Sequence, residues 1–158
     1  ITAMVELSKE YDYRLQKIEK KYTNDPDDPV ILEEYCDFLK EYLSQGFMEK
    51  QMEQIYRNQY TQLLLKQLEQ KVNLHTCVCL MENLMVQRDF FLAEKILKIM
   101  DQNWHRGEEY WIWKIRYLAE RKMGKELKQS LQALKEEHIY LSSRGKETLG
   151  FWLDGAKK

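Results

Sequence analysis

The chain has 158 residues, 44% of them hydrophobic and 32% charged, which is one domain's worth of protein able to bury a core. Six Gly and two Pro supply too few turn residues for a sandwich, a barrel or a βαβ fold, so the expected class is all-α in a single domain over residues 1–158. A net charge of −1 excludes a global attraction to nucleic acid or to an anionic membrane, and function must rest on local surface.

Helical spacing of apolar residues runs through nearly the whole chain. The charged N-terminal segment, residues 1–22, carries a helix over about 4–22 with Met4, Leu7, Tyr11, Ile18 and Tyr22 as its seam. Such a narrow stripe packs along one edge, against its own body or a partner. Asp28 as N-cap and Pro29 at the first helical position start a second helix. Its face is Ile31, Leu32, Tyr35, Phe38, Leu39 and Tyr42, and Gly46 is its left-handed stop. A long third helix, about 48–71, aligns Met48, Met52, Ile55, Tyr56, Leu63 and Leu64. Asn73 caps a fourth over about 74–87, with a turn at Arg88-Asp89 and a fifth helix over about 90–101.

After a loop at Asn103–Gly107, the helix over about 108–122 is apolar around almost its whole circumference, with Trp111, Ile112, Trp113, Ile115, Tyr117 and Leu118. Such a helix is buried on more than one side. Gly124 breaks it, and Leu127, Leu131 and Leu134 mark an amphipathic helix ending near His138. Ser142 or Ser143 then caps a last helix, 142–154, whose cluster Leu149, Phe151, Trp152 and Leu153 either covers the final hairpin, the preferred reading, or projects toward a partner. The expectation is eight helices and no strand.

Sliding the segment 76–102 forward by 34 positions places Cys79 over Trp113, Met81 over Ile115, Leu84 over Leu118, Ala93 over Leu127, Leu97 over Leu131 and Met100 over Leu134. This helix-turn-helix period resembles tetratricopeptide (TPR) repeats, and the aromatic-rich first helices look like half-a-TPR (HAT) repeats. The residues that carry the likeness are Trp113, Tyr117 and Gly124, with Tyr35, Phe38 and Gly46, over roughly residues 28–137. Arg88 and Phe90 depart from it, standing where a small turn residue is usual, and no repeat ends in Pro. The resemblance implies a right-handed α-solenoid of stacked antiparallel hairpins; an irregular helical bundle is the alternative. It also implies protein interaction, and HAT proteins are similar to scaffolds of RNA-processing assemblies.

Motifs of catalysis are scarce. His75-Thr76-Cys77-Val78-Cys79 is the one metal-like cluster, yet residues two apart on a helix point roughly 200° away from each other, so Cys77 and Cys79 read as small buried side chains. No Gly-rich phosphate loop occurs, and the carboxylates fall in solvated helical pairs such as Glu94 with Lys98. His105 and His138 sit in a loop and at a helix end, where a histidine favours the helix dipole. Neither an enzyme, nor a cofactor, nor a metal site is expected. Met81, Met85, Met100 and Met123 read as core filler.

Charge is uneven, with +4 from residue 105 onward and −5 before it. The expected partner is another protein or peptide segment, acidic in character, met through Lys114, Arg121 and Lys122 with Tyr110 as an aromatic contact and with Trp113 and Tyr117 internal. RNA held by the same basic hairpins, with Lys125 and Lys128, is the second reading, and a homodimer through helix 1 or helix 3 the third. No apolar stretch is long enough for a membrane span. Three cysteines are an odd number that fits a reducing compartment, so the location expected is intracellular, nuclear or cytoplasmic. The start at Ile1 rather than Met reads as an expression scar or the cut edge of a larger protein.

Overall fold

A computed structural model describes residues 2–156; Ile1, on which the reading of the chain start rests, lies outside the described residues. Among these residues the chain forms eight helices, α1 (Thr2–Asn24), α2 (Pro29–Ser44), α3 (Lys50–Gln70), α4 (Leu74–Gln87), α5 (Phe90–Trp104), α6 (Glu108–Glu120), α7 (Gly124–Glu136) and α8 (Ser143–Ala156), and no strand. They form two compact units, Ile1–Thr76 and Cys77–Lys158, divided inside α4.

In the first unit α2 lies against both α1 and α3. Asp28 starts α2 as the sequence predicts, its Oδ1 accepting the N–H of Val30 at 2.8 Å and of Ile31 at 3.3 Å. Gly46 ends the turn after α2 with φ +73°, a conformation that costs a residue with a Cβ. Leu32, Tyr35, Phe38, Leu39 and Tyr42 are buried as expected, and Cys36 and Leu43 join them.

The seam of α1 is corrected by the structure. Tyr11, Leu15 and Ile18 are buried, whereas Met4 and Leu7 are exposed. The reason is length. At about 1.5 Å per residue the 23 residues of α1 run well past the 16 of α2. Tyr11 already packs on Tyr42, near the end of α2, and on Phe47 beyond it, so the first turns of α1 overhang. In α3 the inward stripe is Tyr60, Thr61, Leu63, Leu64 and Leu68. Met52 and Ile55, expected inside, are exposed; Ile55 is about 100° round the helix from the half-buried Tyr56 that continues the stripe.

In the second unit α6 is the centre, packed by α5, α7 and α8. Three neighbours explain why Tyr110, Trp111, Ile112, Trp113, Ile115, Tyr117 and Leu118 are all buried. Of the twelve positions matched by the 34-residue shift, eleven are buried and only Leu127 is half-buried. The backbone repeats with them. Helices start at Leu74, Glu108 and Ser143, and the residues that turn α4 into α5 and α6 into α7, Arg88 and Lys122, have φ 58° and 56°.

The same two hydrogen bonds close both turns: Asp89 N–H to the Leu84 carbonyl and Arg88 N–H to Met85, then Met123 N–H to Leu118 and Lys122 N–H to Ala119. A third such stop ends α7, with His138 at φ 53° and bonds from Ile139 to Leu134 and from His138 to Lys135. These are left-handed C-terminal stops built without glycine. Each holds an L-residue at a cost of about 1–2 kcal/mol, part of which glycine returns as unfolded-state freedom. His138→Gly is therefore expected to raise stability by about 0.5–1 kcal/mol in chemical denaturation.

The start of α8 is tied to α6. Ser142 Oγ caps the helix by accepting the Gly145 N–H at 3.1 Å, and the Glu108 carboxylate accepts both the Ser142 N–H at 2.8 Å and its hydroxyl at 2.7 Å. A Cβ on Gly145 would stand 3.1 Å from Glu108 Oε1, so glycine lets the carboxylate reach the cap. Arg144 pairs with Glu109 and stands 3.7 Å from Glu108. The hydrogen bonds from Ser142 hold the Glu108 carboxyl below the ordinary carboxylate range.

A lowered folded pKa stabilises the fold above the unfolded value, and that contribution is lost as pH falls through the folded value. Glu108→Gln is expected to cost about 1–2 kcal/mol at neutral pH. The difference in melting temperature from the parent chain should shrink steadily as the solution is acidified below pH about 4.5.

Candidate functional site

A groove of about 900 Å³ in the second unit is lined by Glu82, Met85 and Val86 of α4, Arg88, Trp113, Arg116, Ala119 and Glu120 of α6, Lys122, and Trp152 of α8. These three helices alternate along the chain with α5 and α7, and the two left-handed turn residues, Arg88 and Lys122, line the groove with them. Its chemistry is mixed. Val86 is 61% exposed and, with Met85, Ala119 and half-buried Trp152, provides an apolar wall. Arg88 pairs with Glu120 at 3.2 Å. The Arg116 guanidinium lies over the Trp113 ring at 4.3 Å, and neither Arg116 nor Lys122 forms an ion pair among the described residues.

Trp113 itself is 4% exposed. Its indole N–H is buried and has no hydrogen-bond partner. The adjacent Trp111 differs, donating its N–H to the His105 carbonyl at 2.7 Å. An unsatisfied buried donor costs about 1–3 kcal/mol, and the residue that carries it is one of those lining the groove.

The four residues picked from the sequence separate in space. Lys122 belongs to the groove just described. Tyr110, Lys114 and Arg121 line another, of about 350 Å³, with Glu94, Leu97, Asp101 and Tyr117. Lys114 Nζ lies over Tyr110 at 5.5 Å and over Trp111 at 5.3 Å, and Arg121 donates to the Tyr117 hydroxyl at 3.0 Å.

Tyr110, expected as an aromatic contact, has a side chain that is 4% exposed, and burial pushes its hydroxyl up to about 12. Its ring packs against His105 and Trp111, at 5.7 and 5.3 Å between centroids. Trp113 and Tyr117 are internal, as their repeat positions predict.

A third concavity, about 580 Å³, lies along α7 and α8 with Leu127, Leu131, Phe151 and Trp152. The terminal cluster is therefore split. Leu149 is fully buried, while Phe151 is 83% exposed. In the first unit a groove of about 420 Å³ is lined by Arg14, Lys17, Lys21, Glu34, Asp37 and Glu41, where Arg14 meets Glu41 at 3.6 Å and Lys21 meets Glu34 at 3.4 Å.

The reactive groups are placed for packing. Cys36, Cys77 and Cys79 are buried thiols, and desolvation pushes Cys77 up to about 11, away from the thiolate that a nucleophile needs. Helix α4 is unbroken through Cys77 and Cys79, and no group of three metal-ligating side chains stands together among the described residues. His105 has both ring nitrogens engaged, Nε2 lying 2.6 Å from Glu137 Oε1 and Nδ1 meeting Asp101; these contacts raise its pKa, Glu137 contributing most. Met81 and Met100 are core, and Met85 and Met123 line the two grooves instead. No described helix is long and apolar enough to cross a membrane.

Comparison with protein-family models, curated proteins and solved structures finds no match for this chain. Glu82, Val86, Arg116, Ala119 and Glu120 are groove residues that the sequence did not single out, and Arg88 and Trp152 figure in it as a turn and as part of the terminal cluster. One signal for them was available: Glu82 and Arg116 stand 34 apart, as do Val86 and Glu120, so the shift that aligns the core aligns the groove face too.

Proposed function

We propose that the chain is a non-enzymatic protein-interaction module, a TPR/HAT-like stack in its second half, acting as a scaffold in a larger intracellular assembly of the RNA-processing kind. The partner segment lies along the groove of α4, α6 and α8. The observation that carries this reading is the groove itself, where apolar side chains of α4, α6 and α8 stand beside Arg116 of α6 and Lys122 of the turn after it, cations without ion partners among the described residues. The 34-residue recurrence of the Arg88 and Lys122 turns supports the repeat geometry. A stacked hairpin leaves the face of its first helices free for a ligand, since the second helices complete the core.

The test is affinity capture from lysate after ribonuclease, comparing the parent chain with Val86→Glu/Lys122→Glu and with Lys114→Ala/Arg121→Ala. Partners are expected to survive ribonuclease and the second variant and to be lost with the first. Capture that vanishes with ribonuclease, or that ignores both variants, would overturn the proposal.

A homodimer is favoured by one observation of its own: Met4, Val5 and Leu7 on α1 and Met52 and Ile55 on α3 are exposed. Light scattering tests it, with Leu7→Glu/Ile55→Glu expected to halve the mass if those faces pair.

A further inference from the structure

Resting on that reading, we infer that the α4, α6 and α8 groove selects an acidic segment of its partner, taking carboxylates against Arg116 and Lys122 and an acceptor oxygen at the Trp113 indole N–H. Two independent observations point there. The first is charge. Three cations, Arg88, Arg116 and Lys122, share the groove with two carboxylates, Glu82 and Glu120, and the Arg88 to Glu120 pair at 3.2 Å leaves Arg116 and Lys122 as the cations open to a ligand. Arg116 is held in place by its stacking on Trp113 at 4.3 Å, so less side-chain freedom is lost when it binds an anion.

The second is the orphaned donor. Trp113 lines the groove, is 96% buried by its 4% exposure, and has an N–H with no acceptor. A donor of this kind is satisfied when a carbonyl or carboxylate oxygen enters beside it, and a hydrogen bond to a charged acceptor is the stronger of the two. The apolar wall of Met85, Val86, Ala119 and Trp152 suits an alternation of acidic and aliphatic side chains. It does not suit a nucleic-acid strand. The Trp113 face is covered by Arg116 at 4.3 Å and offers no platform for a stacked base, while a strand held by its phosphates needs a uniformly basic channel.

The experiment uses the full chain and three fluorescent probes: a terminally capped peptide of alternating Glu and Leu, the same peptide with Gln for Glu, and single-stranded oligouridylate. The Glu peptide is expected to bind, and the Gln peptide at least about tenfold more weakly. Arg116→Glu/Lys122→Glu should lose at least about tenfold in affinity for the Glu peptide. Trp113→Phe keeps an aromatic ring and removes the donor; it should weaken binding several-fold in a chain that still unfolds cooperatively, the lost ring volume and the discarded unsatisfied group acting in opposite directions on the melting temperature.

In the proton–nitrogen NMR spectrum the indole signal that disappears in Trp113→Phe should move on adding the Glu peptide. The Trp111 signal, already bonded to His105, should stay. Equal binding of the Gln peptide, indifference to the charge-reversed pair, a Trp113 signal unmoved at saturation, or tighter binding of oligouridylate would each overturn the inference. If capture still depends on Val86 and Lys122 while no acidic peptide binds, only this inference falls; if capture ignores the groove, the reading beneath it falls too.

Discussion

Trp111→Ala is expected to destabilise the second unit by about 3–5 kcal/mol in chemical denaturation. Trp111 is 1% exposed on the helix that α5, α7 and α8 surround. Its ring packs edge-on against His105 at 5.3 Å and against Tyr110 at 5.3 Å. Three elements braced around one void cannot all move in, so the cavity persists and the cost lies toward the upper end for an aromatic truncation. The His105 carbonyl also loses the donor that reaches it at 2.7 Å, a further penalty for a polar group left facing an apolar hole. A loss below about 1 kcal/mol would mean that α6 is not the centre of its unit.

Leu39→Ala is the counterpart in the first unit, expected to cost about 2–5 kcal/mol. Leu39 is fully buried on α2, the helix that α1 and α3 both pack against. Val30→Ala on the same helix is the internal comparison. Val30 is 72% exposed, and its truncation should change stability by no more than about 0.5 kcal/mol. Similar losses at the two positions would show that α2 is not held between two neighbours, and that the face assigned to it is wrong.

Both predictions fall on residues whose burial was legible in the sequence, and the misses share a cause. Periodicity reports which side of a helix is apolar and says nothing about how far along that helix a neighbour extends. Met4 and Leu7 obey the pattern of α1 and are exposed because α2 is the shorter helix; Leu15, which completes the stripe, is buried. Tyr110, expected at the surface, is buried for the opposite reason. Charged neighbours such as Lys114 suggested a surface, but with neighbours on three sides α6 hides its aromatic rings and leaves Arg116 and Glu120 exposed.

The turns illustrate the same division. Gly46 announces a left-handed stop because glycine takes positive φ without strain. Arg88, Lys122 and His138 take it too, and nothing in those residue types foretells it. The bonds from Asp89, Met123 and Ile139 back into the preceding helices hold them there.

What the amino-acid sequence determined by itself was local and periodic: the all-α class, the eight helices and most of their boundaries, the caps at Asp28 and Asn73, the inward face of α2, and a 34-residue recurrence in the second half. Each follows from interactions spanning a few residues, or from the fixed pitch of a helix. Tertiary structure alone decided which apolar residues meet a neighbour, that α6 is enclosed, that Lys122 parts from Lys114 and Arg121, and that Trp113 is left with an unmatched donor beside Arg116. Those outcomes depend on how whole helices are paired and where they end, which no window of sequence contains.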